Sequence, residues 1–405
     1  VEDLAPERDA SIVGEEPRPL TTPTNLESLG DFRVLQELGR GGMGVVYEAE
    51  QVSLGRRVAL KVLQHRDLPD AKHRIRFQRE ARSAARLHHT NIVPVFGVGE
   101  EGELSYYVMQ LIKGVGLDNL LDELRRLKHM KSSEKAGEPR VKSQAATALQ
   151  EANQGQLAET ILVGEFAFRQ STLSHEAFDE SRNRSIDQVT WAEADSGSQE
   201  SAASVIGDSD HLSGLTTSSG SPRQRSYWGS VARIGGQVAG ALQYAHEHSI
   251  LHRDIKPSNL MLDSSGTVRV TDFGLAKATD QQDLTNTGDI LGTLRYMPPE
   301  AFRGESDQRS DIYSLGITIF EMLALRPAFD ETDRHRLISQ VANHSPIRLD
   351  QIDSQIPRDL VTIVHKCIER DPDHRYQTAG ELADDFQHFL NDEPITARRV
   401  SSVER

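Results

Sequence analysis

At 405 residues the chain has room for two or three average domains, or for one large domain carrying tails and insertions. Only 37% of its residues are hydrophobic and 5% aromatic, which excludes a chain packed from end to end and predicts a folded body with substantial unpacked segments. The formal net charge of -15 excludes a wide phosphate-tracking surface, and with it nucleic acid as a partner; the acidic balance serves solubility.

A lone cysteine, Cys367, allows no internal disulfide and suits a reducing compartment, and its neighbours Ile363, Val364 and Ile368 predict a buried helix position. No run of about eighteen apolar residues exists to span a bilayer, and the acidic start lacks the regions of a signal peptide. The expectation is a cytoplasmic protein, tethered to a membrane only if the natural chain extends past residue 405. None of the 15 histidines stands in a metal-ligand spacing with cysteine or carboxylates, so zinc is not expected.

Residues 1–30 are rich in Pro, Glu and Thr without periodicity and read as a disordered tail. From Phe32 the pattern is strand, glycine loop, strand, strand (FRVLQELG, VVYEAE, RRVALKVL). Helical spacing follows over Ala71–His88, then two short strands in IVPVFGVG and LSYYVMQLI. From about 128 to 225 the composition shifts to Ser, Gln, Ala, Glu and Thr, a low-complexity insertion expected to loop out of the domain as disordered chain. Within it, TILVGEFAF (160–168) is apolar enough for a strand or a docking element. Helical patterning resumes at Tyr227–His248, Gln308–Leu325, Arg334–Asn343, Pro357–Glu369 and Ala379–Asn391.

Four groups of residues carry chemistry. Gly39-Arg40-Gly41-Gly42-Met43-Gly44, after Leu38, is followed by Val45-Val46-Tyr47, so the loop joins two strands. Glycines there let backbone N–H groups approach phosphates, although a flexible hairpin explains the string equally well. Val58-Ala59-Leu60-Lys61 sets a lysine in an apolar strand, where it needs a partner. Glu80 can be that partner, and either residue taken alone also reads as a surface charge. His252-Arg253-Asp254-Ile255-Lys256-Pro257-Ser258-Asn259 holds a carboxylate able to accept a hydroxyl proton, a lysine able to neutralise a phosphoryl group and an amide oxygen able to meet Mg²⁺. Asp272-Phe273-Gly274 follows the strand-like TVRVT, a setting that suits a metal-ligating carboxylate on a loop.

The ordered set Gly39–Gly44, VALK, Glu80, HRDIKPSN, DFG and Pro298-Pro299-Glu300 resembles the eukaryotic-like protein kinases, in particular the bacterial serine/threonine kinases. The resemblance implies an α+β bilobal kinase fold over residues 31–391. A small antiparallel-sheet N-lobe with one helix (about 31–110) would be joined to a larger, mostly helical C-lobe (about 111–391), followed by a tail at 392–405. It implies an ATP- and Mg²⁺-dependent transfer to protein Ser/Thr hydroxyls, with Mn²⁺ as an alternative metal. Asp254 would be the base, assisted by Lys256, Lys61, Glu80 and Thr293, with Asn259 and Asp272 as metal ligands. Met109 would be the gatekeeper, the backbone of Gln110 and Ile112 would bond adenine, and Val46, Ala59 and Met261 would sandwich the ring. Asp311 would support the catalytic loop, and Arg375 would pair with Glu300.

Lys256 and Thr293 together imply Ser/Thr rather than Tyr acceptors. Pro298 departs from the commoner Ala or Ser of the family. A pseudokinase scaffold would be expected to lack one of Lys61, Asp254 or Asp272, and the segment from DFG to PPE favours a peptide over a small-molecule substrate. Partners implied are protein substrates and the chain itself, as a dimer in autophosphorylation. Arg253 beside the catalytic carboxylate would be costly to bury without an anion, which a phosphate on Thr285 or Thr287 would supply.

Overall fold

The computed structural model describes residues 26–41, 44–64, 78, 81–136, 148–163, 226–273 and 288–397. Alternating β-branched and apolar residues build β1 (Ser28–Leu29), β2 (Phe32–Gly41), β3 (Gly44–Gln51), β4 (Arg56–Gln64), β5 (Val95–Glu101) and β6 (Leu104–Gln110). They form one antiparallel sheet in the order β1-β2-β3-β4-β6-β5. Leu29, Phe32, Tyr47, Val58 and Leu60 fill the core of one face. Ala59, Tyr107 and Met109 join Ala81 and Val93 on the other. Strand β1 lies inside the stretch whose composition reads as tail. Leu29 is buried there and pairs with Phe32, so the ordered body begins before residue 31.

A second sheet consists of β7 (Gly114–Gly116), β8 (Leu260–Asp263) and β9 (Val268–Val270), with residues 252–259 leading into β8. Residues 91–93 staple the two sheets: Val93 N–H donates to Val270 O at 2.9 Å, Val270 N–H to Asn91 O at 2.8 Å, and the Asn91 amide to Val268 O at 2.8 Å.

The described helices are α1 (Leu117–Ala136), α2 (Ala148–Val163), α3 (Tyr227–Glu247), α4 (Gly288–Leu294), α5 (Gln308–Ala324), α6 (Arg334–Asn343), α7 (Leu349–Ile352), α8 (Arg358–Cys367) and α9 (Ala379–Leu390). The sequence periodicity anticipated α3, α5, α6, α8 and α9 to within two residues at each end. Helix α5 is buried along almost its whole length because its sequence is apolar on nearly every face. It starts at a capping box between Asp307 and Ser310. Small residues set close approaches around it. A Cβ on Gly316 would sit 2.5 Å from the Cβ of Cys367, and one on Gly235 of α3 would sit 2.7 Å from the Phe386 ring of α9. Cys367 is buried as expected, and burial pushes its thiol well up from the ordinary value.

The described parts of the insertion, residues 128–136 and 148–163, are helical where disordered chain was expected; the rest of it lies outside the described residues. Helix α1 runs through residue 136, its Leu117, Leu120, Leu121 and Leu124 buried at helical spacing. Helix α2 packs against α1 and α3 through Ala158 and Ile161, both fully buried. The 160–163 part of TILVGEFAF thus finishes a helix, not a strand, and the Thr160 hydroxyl donates back to Gln156 O at 2.6 Å. Few apolar side chains suffice for order when a preformed helical surface receives them. The end of the domain also extends past 391. Asp385, fully buried, accepts N–H bonds from Thr396 at 2.6 Å and Ala397 at 2.8 Å, and the Tyr376 hydroxyl at 2.7 Å.

Candidate active site

The loop before β8 is built around a buried carboxylate from α5. Asp311 accepts the backbone N–H of His252 at 2.8 Å and of Arg253 at 2.7 Å, and meets His246 Nε2 at 2.8 Å. Burial opposes ionisation of Asp311, but the hydrogen bond and charge of His246 outweigh it and hold the carboxyl below its ordinary value. The grip allows Arg253 a left-handed backbone, φ +68°, costly for a side chain with a Cβ. His252 donates from Nε2 to Thr271 O (2.8 Å), accepts the Asp254 N–H at Nδ1 (3.2 Å), and sets its ring edge-on to Phe273, centroids 4.6 Å apart.

Asp254 emerges from this frame 8% exposed. Lys256 Nζ lies 2.8 Å from its Oδ2 and 2.8 Å from Thr293 Oγ1, so the ammonium bridges the carboxylate and the hydroxyl. The Asn259 amide donates to Asp254 O at 2.8 Å and to Oδ2 at 3.0 Å. With its nitrogen so used, the Asn259 oxygen remains as an acceptor. Thr271 N–H donates to Asn259 O at 2.9 Å, which brings Asp272 beside Asn259 at the adjoining ends of β8 and β9. An amide oxygen and a carboxylate on these neighbouring strand ends are the hard donor types that suit a cation of the Mg²⁺ type, which takes one or two protein oxygens and completes its shell with phosphate and water.

Asp272 reaches across to the first sheet. Lys61 Nζ lies 2.8 Å from Oδ2, and the Tyr107 hydroxyl donates to Oδ1. Burial raises the carboxyl of Asp272, but the charge of Lys61 and the two hydrogen bonds bring it below its ordinary value. Asp272, like Arg253, is left-handed, φ +62°. The expected Lys61 partner, Glu80, lies outside the described residues, as do Gly42, Met43, Gly274, Thr285 and Thr287.

Val46, Ala59, Met109 and Ile112 come together in one apolar cluster, while Met261 comes from β8 in the second sheet and stands half-buried outside that cluster. The Gln110 N–H is bonded to Pro94 O at 3.0 Å, which takes that donor away from a base and leaves the carbonyl. Behind Met109 a cavity of only about 10 Å³, lined by Tyr107, Asp272 and Phe273 among others, reaches inward; it holds a water at most. Leu38, Gly39, Arg40 and Gly41 are exposed on β2, where Arg40 pairs with Glu37 at 2.8 Å. Among the described glycines of the string, Gly44 alone is sterically required: its φ is +137°, and a Cβ would lie 2.3 Å from Val62 O.

One expectation is corrected. Arg253 is exposed between buried His252 and Asp254, so the burial cost anticipated for its guanidinium does not arise. At the end of the segment, Arg375 holds Glu300 with two bonds of 2.7 and 2.9 Å, and Ser310 adds a third at 2.8 Å. His246 and Tyr107 escaped the sequence reading. The only signal for Tyr107 was a phenol at an inward-facing strand position, where a hydroxyl needs a partner.

A family model for protein tyrosine and serine/threonine kinases matches residues 32–383, and the chain belongs to that family. It is 26% identical over 376 residues to the serine/threonine-protein kinase PrkC of Bacillus subtilis, covering 93% of this chain and 43% of the relative. It is 28% identical over 388 residues to PknB of Mycobacterium tuberculosis, covering 94% and 46%. The chain thus spans less than half the length of these relatives. Its fold is that of the Mycobacterium tuberculosis PknI kinase domain, with a TM-score of 0.52 over 89% of this chain and 96% of that one, at 22% identity.

Proposed function

We propose that the chain is an ATP-dependent serine/threonine protein kinase that uses Mg²⁺ and transfers the γ-phosphoryl group to protein hydroxyls. The observation that carries the reading is the Lys256 ammonium held at 2.8 Å from both Asp254 and Thr293. Asp254 Oδ2 already accepts from Lys256 and Asn259, so Oδ1 is the oxygen that orients the acceptor Ser or Thr hydroxyl and takes its proton as the oxygen attacks. Lys256 offsets charge on the transferring group, and Lys61 steers the α- and β-phosphates. The metal, when bound at Asn259 and Asp272, neutralises phosphate charge. Thr293 holds the lysine to the segment that receives the peptide, which favours Ser/Thr acceptors. Autophosphorylation at Thr285 or Thr287 would add an anion to the loop that leads to Thr293 and raise activity.

Purified chain with Mg²⁺ and labelled ATP tests the reading. Incorporation into the chain itself or a generic Ser/Thr substrate is expected to fall by about 10²–10⁴-fold in Asp254→Asn, and strongly in Lys61→Met. Label that persists in both variants, or that appears on tyrosine alone, overturns it.

A further inference from the structure

Lys61 and Tyr107 are direct cross-strand partners on β4 and β6, so their side chains leave the sheet on the same face. Tyr107 is 1% exposed within an apolar cluster, where an unbonded hydroxyl would carry a desolvation cost. Its bond goes to Asp272 Oδ1, while Lys61 takes Oδ2 at 2.8 Å. The carboxylate is therefore gripped at both oxygens from the interior of the first sheet, on a residue whose backbone is left-handed.

Each carboxylate oxygen has two lone pairs, so the grip leaves one on each for a further partner. The Asp272 side chain keeps 20% exposure, which gives a ligand access. The two donors differ in kind. Lys61 neutralises charge, whereas the phenol orients the carboxylate and leaves its charge intact. Nothing in the motif pattern gives Tyr107 a part in the reaction.

We infer that Tyr107 is a positioning residue that fixes the Asp272 carboxylate for the divalent cation accompanying the nucleotide. The inference rests on the reading of Asp272 as a metal ligand. Donors of this kind behind a metal ligand are worth about 10- to 100-fold in metal affinity.

The test is binding of a fluorescent ADP analogue titrated with Mg²⁺, in the wild type, Tyr107→Phe, Asp272→Asn and the double variant. Tyr107→Phe is expected to raise the Mg²⁺ midpoint by about tenfold, to leave analogue binding in EDTA unchanged, and to add nothing in the Asp272→Asn background. An unchanged or lowered midpoint in Tyr107→Phe, or an equal loss in both backgrounds, overturns the inference. If Asp272→Asn itself leaves the midpoint unchanged, the metal-ligand reading has failed and the inference goes with it. A shift in Asp272→Asn without one in Tyr107→Phe sinks the inference alone. Unliganded melting shows whether Tyr107→Phe folds. If it does not, ¹⁹F NMR of wild-type chain bearing 3-fluorotyrosine at 107 decides. Its resonance should move when Mg²⁺ is added to the ADP complex and stay still in Asp272→Asn, and a resonance indifferent to Mg²⁺ overturns the proposal.

Discussion

Arg253 and Asp272 share the same left-handed backbone, yet they are held by different parts of the molecule. Arg253 is fixed by Asp311, a buried carboxylate on α5, inside the helical body. Asp272 is fixed by Lys61 and Tyr107, which stand on the N-terminal sheet. The loop carrying Asp254, the proposed base, is thus pre-set by its own lobe, while Asp272, the proposed metal ligand, takes its orientation from the other lobe. The orientation of Asp272 therefore depends on how the sheet sits, and that of Asp254 does not.

Removing interior bracing should be the most costly change. Arg375→Met leaves Glu300 buried without its guanidinium, and about 3–5 kcal/mol of stability should be lost in denaturant unfolding. Asp311→Ala strands two backbone N–H groups and His246, and about 3 kcal/mol is expected, together with loss of turnover as Arg253 relaxes. Lys61→Met sharpens the contrast. Asp272 keeps its Tyr107 bond and its partial exposure, so the stability cost should be about 1 kcal/mol even though phosphorylation is lost. A Lys61→Met penalty as large as that of Asp311→Ala would break the comparison.

Acid should expose the same division. Burial raises the Glu300 carboxyl, but the Arg375 hydrogen bonds and charge bring it below its ordinary value of 4.5. A lowered folded-state value means that the stability it contributes is complete above 4.5 and is lost as pH falls through the lowered value. Melting curves of wild type and Glu300→Gln should keep a constant gap above that pH and converge below it. The smallest effect is expected at the exposed Arg33–Glu50 pair on the sheet, where Arg33→Ala should leave the denaturant midpoint essentially unchanged.

Much of the site was legible from spacing along the chain. Asp254, Lys256 and Asn259 fall within one turn-rich segment, so their mutual contacts are local and the residue types alone announce them. Helices with long apolar periodicity, such as α5 and α9, were equally readable. Helix α2 was not, because it carries few buried side chains and depends on α1 and α3 to receive them.

The sequence by itself determined the family and marked Asp254, Lys256, Asn259 and Asp272 as the candidate site, since these depend on residue types at short separations. Only the tertiary structure decided who holds them. Tyr107 and Asp272 are 165 residues apart, and His246 and Asp311 are 65 apart. A phenol or an imidazole announces no partner at such distances until strand register and helix packing bring the groups within hydrogen-bond reach.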